Sequence, residues 1–326
     1  MRRAGLILAL LSMLGGCDAC SCGGVPSSLR ATGAAPFARC TAVQADDREW
    51  SVAGLSLAID DETLSVTGAR PSRVAVAVTA GPWPSSATAI AGEMDALVRA
   101  LKQRVVSVVI VLGGVGDDAE LAAPWVARLA RVEAAVVLVP GMTERWDAVA
   151  DVVEHVDDER VIDGTGLRRV VAGNLELVLL AGSDGGAYGV RDACGFDGED
   201  LRTLGALAPR RGATRILVST VAPRGVGPSA PGLGVAGAPA GSARLAAFAR
   251  ERRIAHVLSA WPVENAGLLH EGGPVAAVVP SIAGLPRVRH DGGRVACGAV
   301  VVTAEGTTVR GELVQPMRDG PSASVD

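Results

Sequence analysis

Apolar and polar positions change rhythm twice along this chain. Residues 4–14 form a short apolar run interrupted only by Ser12, residues 18–47 show no apolar period, and from residue 50 the pattern becomes that of a folded body. Between 50 and 67 apolar and polar residues alternate around Asp60 and Asp61, which predicts an N-terminal β-hairpin. From Arg73 onward, aliphatic runs at 73–80, 105–114 and 134–141 alternate with stretches at 88–103, 119–132 and 143–156 of helical period. In the first of those stretches Ile90, Met94, Leu97, Val98 and Leu101 share one face. Continuous aliphatic strands are buried on both faces, and strand–helix alternation at this spacing demands right-handed crossovers and a parallel sheet.

The second half is richer in strands. Runs at 170–173 and 175–182 read as a hairpin around Asn174, followed by a helix at 198–208, a buried strand at 214–223, a helix at 242–253 and a strand at 255–262. The runs at 274–282, 294–304 and 307–314 are expected to be antiparallel. Residues 224–241, rich in Gly, Pro and Ala, make a connection longer than usual, either a lid or a mobile loop. The fold class is α/β, and residues 315–326 form a disordered tail.

Composition narrows the picture. The chain has 326 residues, 49% apolar but only 3% aromatic, so aliphatic side chains must fill the core. The body, 50–314, is large enough for one domain that buries most of its surface. Net charge is −4, and the basic residues, all Arg except Lys102, are spread along the chain. No local basic patch points to nucleic acid.

The first residues carry a targeting signal. Arg2 and Arg3 precede the apolar run, and Leu14-Gly15-Gly16-Cys17 follows it. A run this short cannot cross a hydrocarbon core of about 30 Å, so a cleaved signal is the better reading. Its ending resembles a bacterial lipobox. That resemblance implies removal of residues 1–16 and lipid attachment at Cys17, with residues 17–49 left as a flexible tether. The alternative is an ordinary signal cut nearby, with Cys17 a plain thiol. Under the lipobox reading the lipid anchor is the only membrane contact, and the protein is exported to the cell envelope, inner or outer membrane undecided. Disulfides persist in such a compartment. Cys194 and Cys297 could pair inside the domain, although five cysteines besides Cys17 leave the connectivity open.

The order of elements resembles that of the calcineurin-like metallophosphoesterases over about residues 71–314. The resemblance implies a four-layer α/β/β/α sandwich with mixed sheets, whose strand-end loops would surround a two-metal site. It lies in the framework and not in the ligands. The family's first strand ends in Asp-x-His, where this chain has Ala80 and Pro82. Its second ends in Gly-Asp, where Gly113 is kept and Gly114 replaces the bridging acid. Its third ends in Gly-Asn-His-Asp/Glu, where Gly141 and Glu144 remain but Met142 and Thr143 replace the ligands. Thr220 stands for a later histidine, and Ala260, Trp261 and Val263 occupy the final Gly-His-x-His.

Two-metal hydrolysis needs oxygen and imidazole ligands to hold two cations about 4 Å apart. Ala, Pro, Gly, Met, Val and Trp supply none, and Thr is a poor one. Asp117, Asp118 and Glu144 are weak candidates for a residual site; the acids around His155 read as a solvated helix end. Gly113-Gly114-Val115-Gly116 lacks the register of a dinucleotide loop, and Ser183 lies in no nucleophile elbow. The residues therefore point to a catalytically inactive relative acting as a binding or scaffold module, with no cofactor expected and an unidentified protein or small-molecule partner. The competing reading is a divergent phosphoesterase using Mn, Fe or Zn on non-standard acidic ligands.

Overall fold

The protein is described here by a computed structural model. The described residues are 38–40, 43, 45–68, 74–82, 90–185, 192–225, 241–261, 274–282, 297–305 and 308–315. The expected signal peptide with Cys17, the C-terminal tail from 316 and Val263 lie outside them, as does most of the 224–241 loop.

The aliphatic runs of the first half become β5 (Val74–Thr79), β6 (Val108–Leu112) and β7 (Ala135–Val139), which are joined by β8 (Val161–Asp163), a short strand the periodicity did not mark. All four are parallel. The hairpin β16 (Ala299–Glu305) and β17 (Thr308–Val314) adds antiparallel to β5, giving the order β17-β16-β5-β6-β7-β8. Helices α1 (Ala91–Gln103), α2 (Ala119–Leu129) and α3 (Ala148–Val156) are the crossovers. Helix α2 starts where Asp118 accepts a hydrogen bond from the Leu121 backbone N–H, satisfying one of the four unpaired donors of a first turn.

The second sheet has eight strands. The expected hairpin is a three-stranded meander, β2 (Arg48–Val52), β3 (Leu55–Asp60) and β4 (Thr63–Gly68). It is joined by β9 (Arg169–Ala172), β10 (Leu175–Leu180), β13 (Thr214–Val221), β14 (His256–Trp261) and β15 (Ala276–Val278) in the order β15-β14-β13-β10-β9-β4-β3-β2. The meander is thus one flank of the sheet, because β4 runs parallel to β9. The expectation of an antiparallel strand within 274–282 is corrected. β15 is parallel to β14, with Val257, Leu258 and Ser259 opposite Ala276, Ala277 and Val278.

Alternating side chains define the layers. From β6, Val108, Ile110 and Leu112 face the second sheet, where they share a core with Leu64, Val170, Leu177, Ile216 and Leu258. Val109 and Val111 face the helices and pack with Met94, Leu97, Val126 and Val149. On the far side of the second sheet, Val178, Leu180, Leu217 and Val257 meet α4 (Gly198–Ala206) and α5 (Ala243–Glu251) through Leu201, Leu204, Leu245 and Phe248. The expected α/β/β/α order is present. A strand covered on both faces has no use for polar residues, which is why β5, β6 and β7 read as unbroken aliphatic text.

Two corrections concern the N-terminal part. The disulfide joins Cys194 to Cys40, not to Cys297, across a sequence separation of 154 with Cα atoms 5.5 Å apart. It lies beside a small sheet in which β12 (Cys194–Phe196) pairs with β1 (Ala38–Arg39) on one side and β11 (Ser183–Asp184) on the other. The expected tether therefore does not run free to residue 49. Arg168, 5% exposed, donates to the carbonyl oxygens of Cys40 and Val43, and Arg39 pairs with Asp197 and Asp200. Burial lowers the Arg168 guanidinium from its ordinary value, yet four carbonyl acceptors surround it. A buried charge is tolerated where its donors are satisfied.

Candidate functional site

In sheets of this kind ligand sites form outside the carboxyl ends of the strands. Here β5, β6, β7, β10, β13 and β14 deliver their following residues to that region. Ala80 follows β5, Gly113 and Gly114 follow β6, Pro140 to Glu144 follow β7, and Thr220 and Trp261 end β13 and β14. The positions left without ligands are brought together along one rim, joined by main-chain contacts.

The Gly81 N–H donates to the Gly113 carbonyl at 2.8 Å. A Cβ on Gly81 would collide with the Gly114 carbonyl, and one on Gly114 would sit 2.7 Å from the Gly81 oxygen. A Cβ on Gly113 would lie 2.8 Å from the Gly141 Cα. Gly113 and Gly114 also hold φ values of +62° and +70°, which side-chain-bearing residues rarely adopt. Three strand ends thus interlock glycine against glycine. Further round the rim, Gly182 N–H and Thr220 Oγ1 both donate to the Pro140 carbonyl, at 3.3 and 3.4 Å, and Ala222 N–H donates to that of Trp261 at 2.9 Å.

On the other flank, Ala80 N–H donates to the Pro280 carbonyl and Ser281 Oγ to that of Gly81. The buried Thr79 hydroxyl reaches the Gly298 and Pro280 carbonyls at 2.7 and 3.0 Å. These contacts tie β15 and the residues before β16 to the rim. Pro82 and Met142 are buried, while Ala80 and Thr143 are half-buried.

The candidate acids are each taken up by a backbone donor. Asp117 Oδ1 accepts the Arg145 backbone N–H at 2.8 Å, and Asp118 is the cap of α2. Glu144 turns inward and is 2% exposed. Its Oε1 accepts the Gly114 N–H at 2.5 Å, and its Oε2 lies against Gly141 with no hydrogen-bond partner among the described residues. Among the described residues no group of three or more His, Cys, Asp or Glu could hold a metal ion. The two-metal group does not fit these residues: the strand ends offer backbone where side-chain ligands would be needed, and a side chain at Gly114 would meet the Gly81 carbonyl. No catalytic step is derived through it.

Segment 192–196 braces the rim from outside. Cys194 N–H donates to the Glu144 carbonyl, Trp146 N–H to that of Asp192, and Gly182 packs against the Cys194 carbonyl. Sequence reasoning marked Gly114 as a lost ligand but missed its partner Gly81. The available signal was a glycine shortly after each of the first three aliphatic runs.

No protein family and no curated protein matches the chain by sequence. Solved structures with a similar course exist at low identity. TT1561 of Thermus thermophilus is 12% identical, with a TM-score of 0.44 over 74% of this chain and 98% of that one. The purple acid phosphatase PPD1 from yellow lupin (Lupinus luteus) seeds is 9% identical, with a TM-score of 0.46 over 78% of this chain and 54% of that one. GAP50, described as the anchor in the inner membrane complex of Plasmodium, is 10% identical, with a TM-score of 0.47 over 76% and 86%. The layer order rests on this chain's own topology. Among the described residues no helix is long and apolar enough to cross a membrane.

Proposed function

We propose that this chain is an exported envelope lipoprotein, anchored through Cys17, in which a metallophosphoesterase-like scaffold serves as a non-catalytic binding or scaffold module. The observation that carries this reading is the glycine interlock of Gly81, Gly113, Gly114 and Gly141, which puts main chain where phosphoester chemistry needs ligands. Hydrolysis through two metals draws its rate from generating hydroxide and neutralising phosphate charge. Removing every ligand removes both effects. The partner is a protein or small molecule met at the envelope.

A second reading has one observation in its favour. Glu144 Oε2 is buried without a hydrogen-bond partner, an arrangement that costs about 1–3 kcal/mol unless a cation or water completes it. A single Mn, Fe or Zn ion there would support the divergent phosphoesterase.

Metal analysis of the purified chain, with aryl phosphate turnover in added Mn²⁺, separates the two. Absence of stoichiometric metal and of turnover is expected; metal-dependent turnover abolished by Glu144→Gln would defeat the proposal. For the anchor, Cys17→Ser is expected to move the protein from the membrane to the soluble fraction.

A further inference from the structure

The helices over the second sheet cover β10, β13 and β14. On β4, Leu64 and Val66 point into the inter-sheet core, so Thr63, Ser65 and Thr67 point outward. Across the strands, Asp60, Thr63 and Arg169 pair in one row, and Ala58, Ser65, Val171, Glu176 and Arg215 in the next. Paired residues share a face, and small ones in the middle of a row leave a depression. A groove of about 520 Å³ occupies it, walled by Arg169 and Arg210 on one side and by Asp60 and Asp61 on the other.

The arginine wall is built. Glu176, fully buried, accepts the Arg210 backbone N–H at 3.0 Å and Arg215 Nη2 at 2.9 Å, and its Oε1 lies 3.7 Å from Arg169 Nη1. Arg169 is further fixed by Thr63 Oγ1 and the Ala208 carbonyl, at 3.1 and 3.2 Å, and Arg210 Nη1 donates to the Gly173 carbonyl at 3.3 Å. Among the described residues these bonds leave Arg169 Nη2 and the Nε and Nη2 of Arg210 uncommitted. Glu176 offsets Arg215, so Arg169 and Arg210 bring the net positive charge to their wall. Asp60 and Arg169 sit two strands apart, about 10 Å between backbones, which one sugar residue can span.

We propose that this groove binds an acidic sugar. Its oxyanion would be taken by the Nε–Nη2 edge of Arg210, which matches a planar carboxylate or a phosphate, with Arg169 Nη2 donating beside it. Its hydroxyls would donate to Asp60 and exchange hydrogen bonds with Ser65 and Thr63. Among the described residues no aromatic side chain lines the groove, so the recognition is polar and carries no stacked base or ring. This inference rests on the binding-module reading and names its ligand class.

The test is NMR titration of the full chain with D-glucuronate, glucose and inorganic phosphate. D-glucuronate is expected to bind more tightly than either of the others. Arg210→Gln, at an exposed residue, should weaken it about tenfold, the worth of one charged hydrogen bond, with an unchanged melting temperature. Ser65→Val should weaken it as well. Absence of glucuronate binding, equal binding of glucose or phosphate, or indifference to Arg210→Gln overturns the groove proposal. Those results leave the reading as a non-catalytic module standing. Metal-dependent turnover sinks that reading instead, whatever the sugar does.

Discussion

The strand-end rim and the outer groove are opposite solutions to the same problem of what to do with space next to a sheet. At the rim, glycines let main chain meet main chain, and one inward glutamate fills what is left. At the groove, side chains are kept but are small and polar in mid-row, with the helical layer ending short of them. The difference teaches that the presence of a fold's framework says little about where its working surface lies. Here, among the described residues, the first strand ends meet glycine against glycine, and a polar groove lies on another face.

The largest effect that could break this contrast is expected from Gly114→Asp. The substitution restores an acid where the resembled family has one, yet it puts a side chain on a positive φ and against the Gly81 carbonyl. Strain and overpacking together should cost about 3–5 kcal/mol in urea unfolding, with no metal bound. A variant of native stability that takes up Mn²⁺ would mean the rim is an open site. Next is the paired change Cys40→Ala with Cys194→Ala. Closing a loop this long is worth about 2–5 kcal/mol, and its loss should be read mainly in the rim through the Cys194–Glu144 contact. Glucuronate binding at the groove, built from β4, β9 and Arg210, should survive in the fraction that stays folded.

A smaller effect should come from acid. His256 Nδ1 accepts the Val275 N–H at 2.9 Å, and burial holds this imidazole below its ordinary value of 6.5. The unfolded chain therefore takes up a proton more readily than the folded one. Stability is full above the unfolded value and falls as the pH drops through it toward the folded value. Loss of that hydrogen bond should remove about 1 kcal/mol and loosen β15, whose following residues hold Ala80 and Gly81. Melting curves from neutral to acidic pH test this, and His256→Asn should flatten the dependence. If the rim is what the stability depends on, groove changes should be nearly silent, with Arg210→Gln and Ser65→Val each shifting stability by about 0.5 kcal/mol or less.

Much of this architecture was legible in the chain. The aliphatic runs of β5, β6 and β7 and the period of α1 announced a parallel sheet with helical crossovers, since double burial leaves no room for another pattern. The absence of side-chain ligands at Ala80, Gly114 and Met142 was equally plain. The disulfide was not. Cys40 lay in a stretch without apolar period, and the pairing of β1 with β12 and the docking of Arg39 and Arg168 bring it beside Cys194. Nor was the groove, whose signal was only that Thr63, Ser65 and Thr67 alternate with Leu64 and Val66.

What the sequence by itself determined is the long aliphatic strands, the helices between them and the kinds of side chain at the strand ends, because periodicity and side-chain chemistry are local properties. Tertiary structure alone decided that Gly81 would close on Gly114, that Glu144 would point inward, and that Arg169 and Arg210 would share a wall. Those facts depend on which strands become neighbours and in what register, and a chain does not write its long-range pairings in any single segment.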